Sequence, residues 1–333
     1  MKLKVGLLGG GSWGTTVASL IANNADITLW ARDQATVDEI NTLHSNEKYL
    51  PGARLPENLV ATAELAEALK QADLVVMGVP SHGFRSALLE AKQYIRPWVP
   101  VISLTKGLEL DTGKRMTQVI NEILPGHPVG VLSGPNLAGE IIAGQAASTV
   151  LAMPDEIILQ ELQPLFGGDF FRVYTNTDLI GCELGGILKN VIAIATGIAD
   201  GSGAGENTRA ALVTRGLAEI TRLGIAMGGD AATFYGLAGM GDLVATCTSP
   251  KSRNYHVGFE LGKGHSIDDI IAGMHMVAEG VKSCPTVMQL AQEYDVEMPL
   301  SHGVYSVLHE GKTTQQAFRG ILKRTSGSEA EPG

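Results

Sequence analysis

Residues 2–25 read KLKVGLLGGGSWGTTVASLIANNA, and the succession of an apolar run, a glycine cluster and a second apolar run decides the fold. Lys2 to Leu8 has the length and composition of a short buried strand, and Thr15 to Ala25 those of a helix. Between them Gly9, Gly11 and Gly14 satisfy GxGxxG, the spacing that signals a dinucleotide site when a strand precedes it and a helix follows. The glycines permit a tight turn, close backbone approach to a pyrophosphate and close packing of helix on strand, while the helix N-terminus offers N–H groups and positive potential. Ser12 and Trp13 fall on that turn, where a hydroxyl and two backbone amides face the cofactor. Lys2 and Lys4 ahead of an uncharged run also imitate a secretory signal. The continuous apolar core is only Val5 to Leu8, however, and Gly9, Gly10, Gly11, Ser12, Gly14, Asn23 and Asn24 interrupt the rest.

Outward from this segment the pattern repeats. A second strand, Ile27 to Trp30, ends at Ala31, Arg32 and Asp33, where the fingerprint places a reader of the adenosine ribose. Asp33 suits a 2′-hydroxyl and Arg32 a 2′-phosphate; Arg32 comes first after the strand, which favours NADP(H) over NAD(H). Strands follow at Leu74 to Val79, Val99 to Leu104 and Val129 to Leu132, separated by helical stretches such as Thr62 to Gln71. Two more, Ser148 to Met153 and Phe170 to Tyr174, flank a helix around Glu156 to Phe166. This alternation predicts an α/β fold, a doubly wound (Rossmann-type) mostly parallel sheet. Ligands of such sheets lie beyond the carboxyl ends of the strands, which singles out Pro80 and Ser81, Thr105, Lys106 and Gly107, and Ser133, Gly134, Pro135 and Asn136. Lys106 places an ammonium at the mouth of the nicotinamide end. His82 has no metal-spaced partner and reads as a structural histidine.

After Asp178 the strands give way to helices and glycine loops. The expected organisation is a dinucleotide-binding domain over residues 1–180, a mainly α-helical substrate-binding domain over 181–324, and a disordered tail over 325–333. The cleft between the two domains is the expected site. Near the start of the second domain stands LGGILKNVIAIATGIA, Leu184 to Ala199, in which Lys189 is the only charge. The segment is apolar nearly all round and reads as a buried helix. A buried ammonium requires a partner or an anionic ligand. Its alternatives are a lysine that snorkels or pairs with a core carboxylate, and a lysine that does chemistry.

Composition narrows the function classes. The chain has 333 residues, 44% of them apolar, 41 glycines and a net charge of -10. That balance speaks against a nucleic-acid partner, since Lys251 and Arg253 form the only basic cluster and no aromatic residues interleave with it. Cys182, Cys247 and Cys284 are odd in number and widely spaced, which fits a reducing compartment and neither a disulfide framework nor a zinc site. No window reads as a membrane span.

Seven motifs together resemble the bacterial NAD(P)-dependent glycerol-3-phosphate dehydrogenases: GGGSWGTT at Gly9, TKGLE at Thr105, SGPNLAGE at Ser133, LGGILKNVIAIATGIADG at Leu184, NTRAALVTRGLAE at Asn207, GMGDLVATCTSPKSRN at Gly239 and VAEG at Val277. The likeness runs from Val5 to about Gln316. It implies a cytoplasmic enzyme, often a homodimer, that interconverts dihydroxyacetone phosphate and sn-glycerol 3-phosphate with NADPH/NADP+ or NADH/NAD+ and supplies phospholipid synthesis. Motif by motif, it implies Lys189 as the acid/base. It places Lys106, Gly134, Asn136, Asp242, Ser252, Arg253 and Asn254 on the substrate, and Ser12, Trp13, Arg32, Lys106, Ala138, Arg253, Val277 and Glu279 on the cofactor beside Gly9, Gly11 and Gly14. Four positions depart from the family pattern. Asn136 stands where Ser or Thr is usual, which bears on substrate hydrogen bonding, while Thr16, Ile187 and Ala204 read as packing changes.

The chemistry points the same way from the residues themselves. Hydride addition to a ketone leaves an alkoxide that needs a proton or a cation, and an ammonium serves as both. Desolvation and neighbouring positive charge lower the pKa of such a lysine, while Asp242 either holds it in place or opposes that shift. Ser252, Arg253 and Asn254 open a helix after Pro250, an N-terminal anion site with one arginine. Dehydrogenases of sugar acids, hydroxyacyl thioesters or ketopantoate share the architecture, but phosphate donors and two lysines argue against them. A nucleotide sensor has no need of Lys189. No metal is required.

Overall fold

A computed structural model describes residues 2–274 and 278–317. Val277 and the tail 325–333 lie outside the described residues. The chain divides into two compact units, residues 1–109 with 114–179, and residues 110–113 with 180–333.

The first unit is built on an eight-stranded sheet: β1 (Lys4–Leu8), β2 (Asp26–Trp30), β3 (Val60–Thr62), β4 (Leu74–Met77), β5 (Val101–Ser103), β6 (Val129–Ser133), β7 (Ala147–Ala152) and β8 (Phe171–Asn176), in the spatial order β3-β2-β1-β4-β5-β6-β7-β8. Every neighbouring pair is parallel except β6 and β7, which run antiparallel with Ser133 opposite Val150. The doubly wound, mostly parallel sheet is the expected one. Its buried strands are apolar without alternation because helices cover both faces. Val5, Leu7 and Leu29 pack with Val17 and Ile21 of the helix Ser12–Ala22 on one face, and Leu8, Val75 and Met77 pack with Phe84 and Leu88 of Ser81–Ala91 on the other.

Three local expectations need correction. The first helix begins at Ser12, with Gly11 as its extended N-cap, and ends at Ala22, so Thr15 lies inside it. Thr62 closes the strand β3, and the helix expected over Thr62 to Gln71 is only Leu65–Leu69. A three-residue edge strand with an exposed Val60 is too short to leave a period in the sequence. His82, read as a structural histidine, is exposed in the first turn of its helix.

The second unit is helical. Its central helix, Leu179–Gly201, is long and apolar enough to cross a membrane, yet 83% of that window is buried within the fold, which makes it a core helix. It crosses the helix Arg253–Gly262 at close range: a Cβ on Gly197 or Gly258 would run into the other helix's backbone. This contact seats the carboxyl half of the central helix; Lys189 sits two turns earlier, toward the helix Asp242–Thr248.

Candidate functional site

In the first unit the strand order reverses between β1 and β4, and the glycine turn lies at the carboxyl end of β1. The helix Ser12–Ala22 has no side-chain cap and no acid in its first turn, so neither a capping side chain nor a carboxylate competes for its leading N–H groups. Gly14 admits no side chain, because a Cβ there would strike the Gly9 carbonyl. Gly9, Gly11, Ser12, Trp13 and Gly14 are thereby gathered on one turn. Trp13 is half-buried, its ring edge-on to Phe171 at 6.4 Å. At the end of β2 the two candidate ribose readers separate. Asp33 caps the helix Gln34–Leu43, accepting from Ala35 N–H and from the Thr36 hydroxyl, both at 3.2 Å. Arg32 beside it is exposed and makes no such bond.

A second cluster lies at the ends of β5 and β6. Lys106 is half-buried, and its Nζ donates to the Gly134 carbonyl at 2.7 Å. Because β7 runs back against β6, Thr149 arrives beside Gly134, one pair beyond Ser133 and Val150. The Thr149 hydroxyl donates to the Ser133 carbonyl at 3.0 Å. That bond uses its only proton, so the Asn136 amide meets it as a donor, Nδ2 to Oγ1 at 3.1 Å. Asn136 Oδ1 is left buried with no protein partner. Ala138 opens the short helix Ala138–Ile142 immediately after.

The second unit holds the charge pair. Lys189 is 6% exposed and Asp242 2%. The ammonium donates to Asp242 Oδ1 at 2.7 Å and to Thr246 Oγ1 at 2.6 Å. Thr246 in turn gives its proton to the Asp242 carbonyl at 2.6 Å, so its lone pair is what Lys189 meets. Two of the three ammonium protons are fixed, and the third has a direction set by them. The lysine therefore has a core carboxylate beside it, which meets both the structural alternative of a lysine paired in the core and the expectation that Asp242 holds a reacting lysine in place.

Around this pair the SRN segment behaves as a helix start. Ser252 caps Arg253–Gly262, its Oγ accepting from Tyr255 N–H at 3.3 Å while its own proton remains available. Arg253 is exposed at the first helical position. Loss of solvation around the guanidinium lowers its pKa, with Glu279 opposing, and an arginine so shifted remains a cation. Asn254 is buried and largely committed: it donates to Asn190 Oδ1 at 2.9 Å and accepts from Gly280 N–H at 2.9 Å. Any ligand contact by Asn254 rests on its second Nδ2 proton. Glu279, half-buried, begins the helix Glu279–Glu293.

Sequence reading passed over Thr246, Asn190 and Thr149. Thr246 is four residues after Asp242 on one helix face, a spacing that carries the signal. Asn190 adjoins Lys189 in the same apolar run and drew no attention because it is uncharged. Thr149 had no local signal. Among the described residues no group of His, Cys, Asp or Glu could hold a metal ion, and the three buried cysteines form no disulfide.

Comparison with known proteins shows the family. Residues 4–158 match the model of the NAD-dependent glycerol-3-phosphate dehydrogenase N-terminus, and residues 178–319 that of its C-terminus. Glycerol-3-phosphate dehydrogenase [NAD(P)+] 2 of Sphingopyxis alaskensis is 66% identical over 333 residues, the whole of both chains. The enzyme of Mycobacterium avium is 52% identical over 98% of this chain and 96% of its own. The crystal structure of glycerol-3-phosphate dehydrogenase from Coxiella burnetii superposes with a TM-score of 0.92 at 38% identity, covering 97% of this chain and 99% of that one. Family models spanning both units, full-length relatives and the shared fold lead to one assignment: the chain is an oxidoreductase and belongs to the NAD(P)-dependent glycerol-3-phosphate dehydrogenase family.

Proposed function

We propose that this chain reduces dihydroxyacetone phosphate to sn-glycerol 3-phosphate, reversibly, with Lys189 as the proton donor and acceptor. The observation that carries the reading is the buried Lys189 ammonium fixed by Asp242 and Thr246. Bound NAD(P)H supplies the hydride to the ketone carbon. Lys189 gives the third ammonium proton to the ketone oxygen as negative charge develops there, and the neutral amine then recovers a proton from solvent. Asp242 and Thr246 prevent the side chain from swinging away, so little entropy is lost at the moment of transfer.

Arg253, the Ser252 hydroxyl and the first N–H groups of the helix Arg253–Gly262 receive the substrate phosphate, aided by Asn254. Lys106, Gly134 and Asn136 supply further polar contacts to the substrate. Gly9, Gly11, Ser12, Trp13 and Gly14 cradle the pyrophosphate of the cofactor, with Lys106, Ala138, Arg253, Val277 and Glu279 on its other groups. Asp33 is occupied as a helix cap and Arg32 is exposed beside it, which supports a preference for NADPH over NADH. Residues 1–180 act as the cofactor domain and 181–324 as the substrate domain. We assign the enzyme to the cytoplasm, as a homodimer serving phospholipid synthesis; exposed Tyr235, Met240 and Val244 offer apolar surface for the second copy.

Following NADPH and NADH oxidation by absorbance, with dihydroxyacetone phosphate, ketopantoate and unphosphorylated dihydroxyacetone offered in turn, tests the reading. Turnover confined to the phosphorylated ketone is the expected result, and its absence refutes the proposal. Light scattering checks the dimer.

A further inference from the structure

The loop after the helix Gln34–Leu43 contains a buried amide that the reaction does not use. His44 leaves that helix at φ 49°, and the loop closes where Leu55 N–H meets the His44 carbonyl at 2.8 Å. Inside it the Asn46 carbonyl accepts from Tyr49 and Leu50 N–H at 3.1 and 2.7 Å. The Asn46 side chain, 0% exposed, turns away from its own loop. Its Nδ2 donates to the Gly10 carbonyl and to the Thr15 hydroxyl oxygen, each at 3.0 Å. Both amide protons are spent on the glycine turn and the helix that follows it, while Oδ1 stays buried and unpaired. A dry, unpaired acceptor is destabilising, so the two donations are what the amide contributes here.

We infer that Asn46 is a positioning residue for the dinucleotide turn, an inference that rests on the proposed cofactor role of Gly9 to Gly14. The Gly10 carbonyl and the Gly11 N–H belong to one planar trans peptide and point in opposite directions. Pinning the carbonyl on Asn46 therefore fixes the Gly11 N–H on the opposite side of that peptide, away from Asn46. The bond to Thr15 fixes the first helical turn in the same frame, so the amides of Gly11, Ser12 and Trp13 are set before the pyrophosphate arrives.

The test is binding of four ligands to the full chain: NADPH and NADH by fluorescence, 2′-phospho-ADP-ribose and 2′-AMP by calorimetry. Asn46→Asp keeps the volume but sets an oxygen against the Gly10 carbonyl. It is expected to weaken the three pyrophosphate ligands by roughly tenfold and 2′-AMP by less than about twofold. Thr15→Val, which removes one acceptor, is the milder variant should Asn46→Asp fold poorly, with a loss of roughly threefold on the same ligands. Wild-type affinity in both variants, or equal losses that include 2′-AMP, overturns the inference. A wild type that binds none of the four refutes the dinucleotide reading itself.

Discussion

In the proposed reading the glycine turn of the sheet unit and the Lys189 pair of the helical unit present donors to negative charge by opposite means. At its glycine turn the sheet unit offers backbone, an uncapped helix N-terminus where Gly14 admits no side chain. The helical unit offers a side-chain donor, Lys189, which donates to an aspartate 53 residues away in sequence, the two 6% and 2% exposed. Backbone donors are generic and suit a cofactor shared by many enzymes. Buried side chains are specific and suit a single reacting oxygen. The difference teaches that losses should be chemical in the helical unit and losses of affinity in the sheet unit.

Lys189→Met puts the largest strain on that division. It should lower kcat by about 10²- to 10⁴-fold, the usual worth of a positioned acid, while NADPH affinity stays near wild type. Retention of more than about half of kcat makes Lys189 a structural residue and removes the chemistry from the helical unit.

Arg253→Ala comes next. Loss of a charged contact to the phosphate dianion should depress kcat/KM for dihydroxyacetone phosphate by roughly 100-fold and leave unphosphorylated dihydroxyacetone nearly unaffected. NADPH affinity is measured alongside, since Glu279 and Arg253 are both assigned to the cofactor as well. Proportionate losses on the two ketones would show that Arg253 does not hold the phosphate.

Arg32→Ala tests the one side chain in the sheet unit assigned to specificity. It should weaken NADPH by roughly tenfold relative to NADH, because a bond to a charged phosphate is worth ~1.5–3 kcal/mol. Equal losses leave the 2′-phosphate without a reader at the end of β2.

The same contrast explains what could be read in the sequence. The glycine turn and the residues after β1, β2, β5 and β6 are local signals, since strand, turn and helix follow one another in the chain. The antiparallel return of β7 brings Thr149 to Asn136, 13 residues away in sequence, and leaves no mark on either residue. Thr246 reaches Lys189 across 57 residues, and Asn46 reaches Gly10 across 36. Both are neutral residues, and only burial distinguishes them from any surface Thr or Asn. Lys189 was legible because a charge in an apolar run announces a missing partner.

A buried carboxyl in the helical unit gives the smallest and sharpest test, because its partners are the start of a neighbouring helix and it has no place in the proposed chemistry. Glu219, 1% exposed on the helix Glu206–Ala226, accepts from Leu300 N–H at 2.5 Å and from the Ser301 N–H and hydroxyl at 3.1 and 2.9 Å, at the start of the helix Pro299–His309. Burial raises its pKa above the ordinary 4.5, opposed by those donors. Between 4.5 and the raised native value the folded state keeps a proton that the unfolded chain releases, so this group's contribution to stability falls as pH rises through that window. Glu219→Gln cannot ionise and lacks the dependence. Melting temperatures of both proteins from pH 4.5 upward should show the wild-type advantage greatest at the acid end and shrinking by a few °C toward neutrality. An advantage that grows with pH would mean that the N–H groups of the helix Pro299–His309 outweigh desolvation and hold Glu219 as the anion.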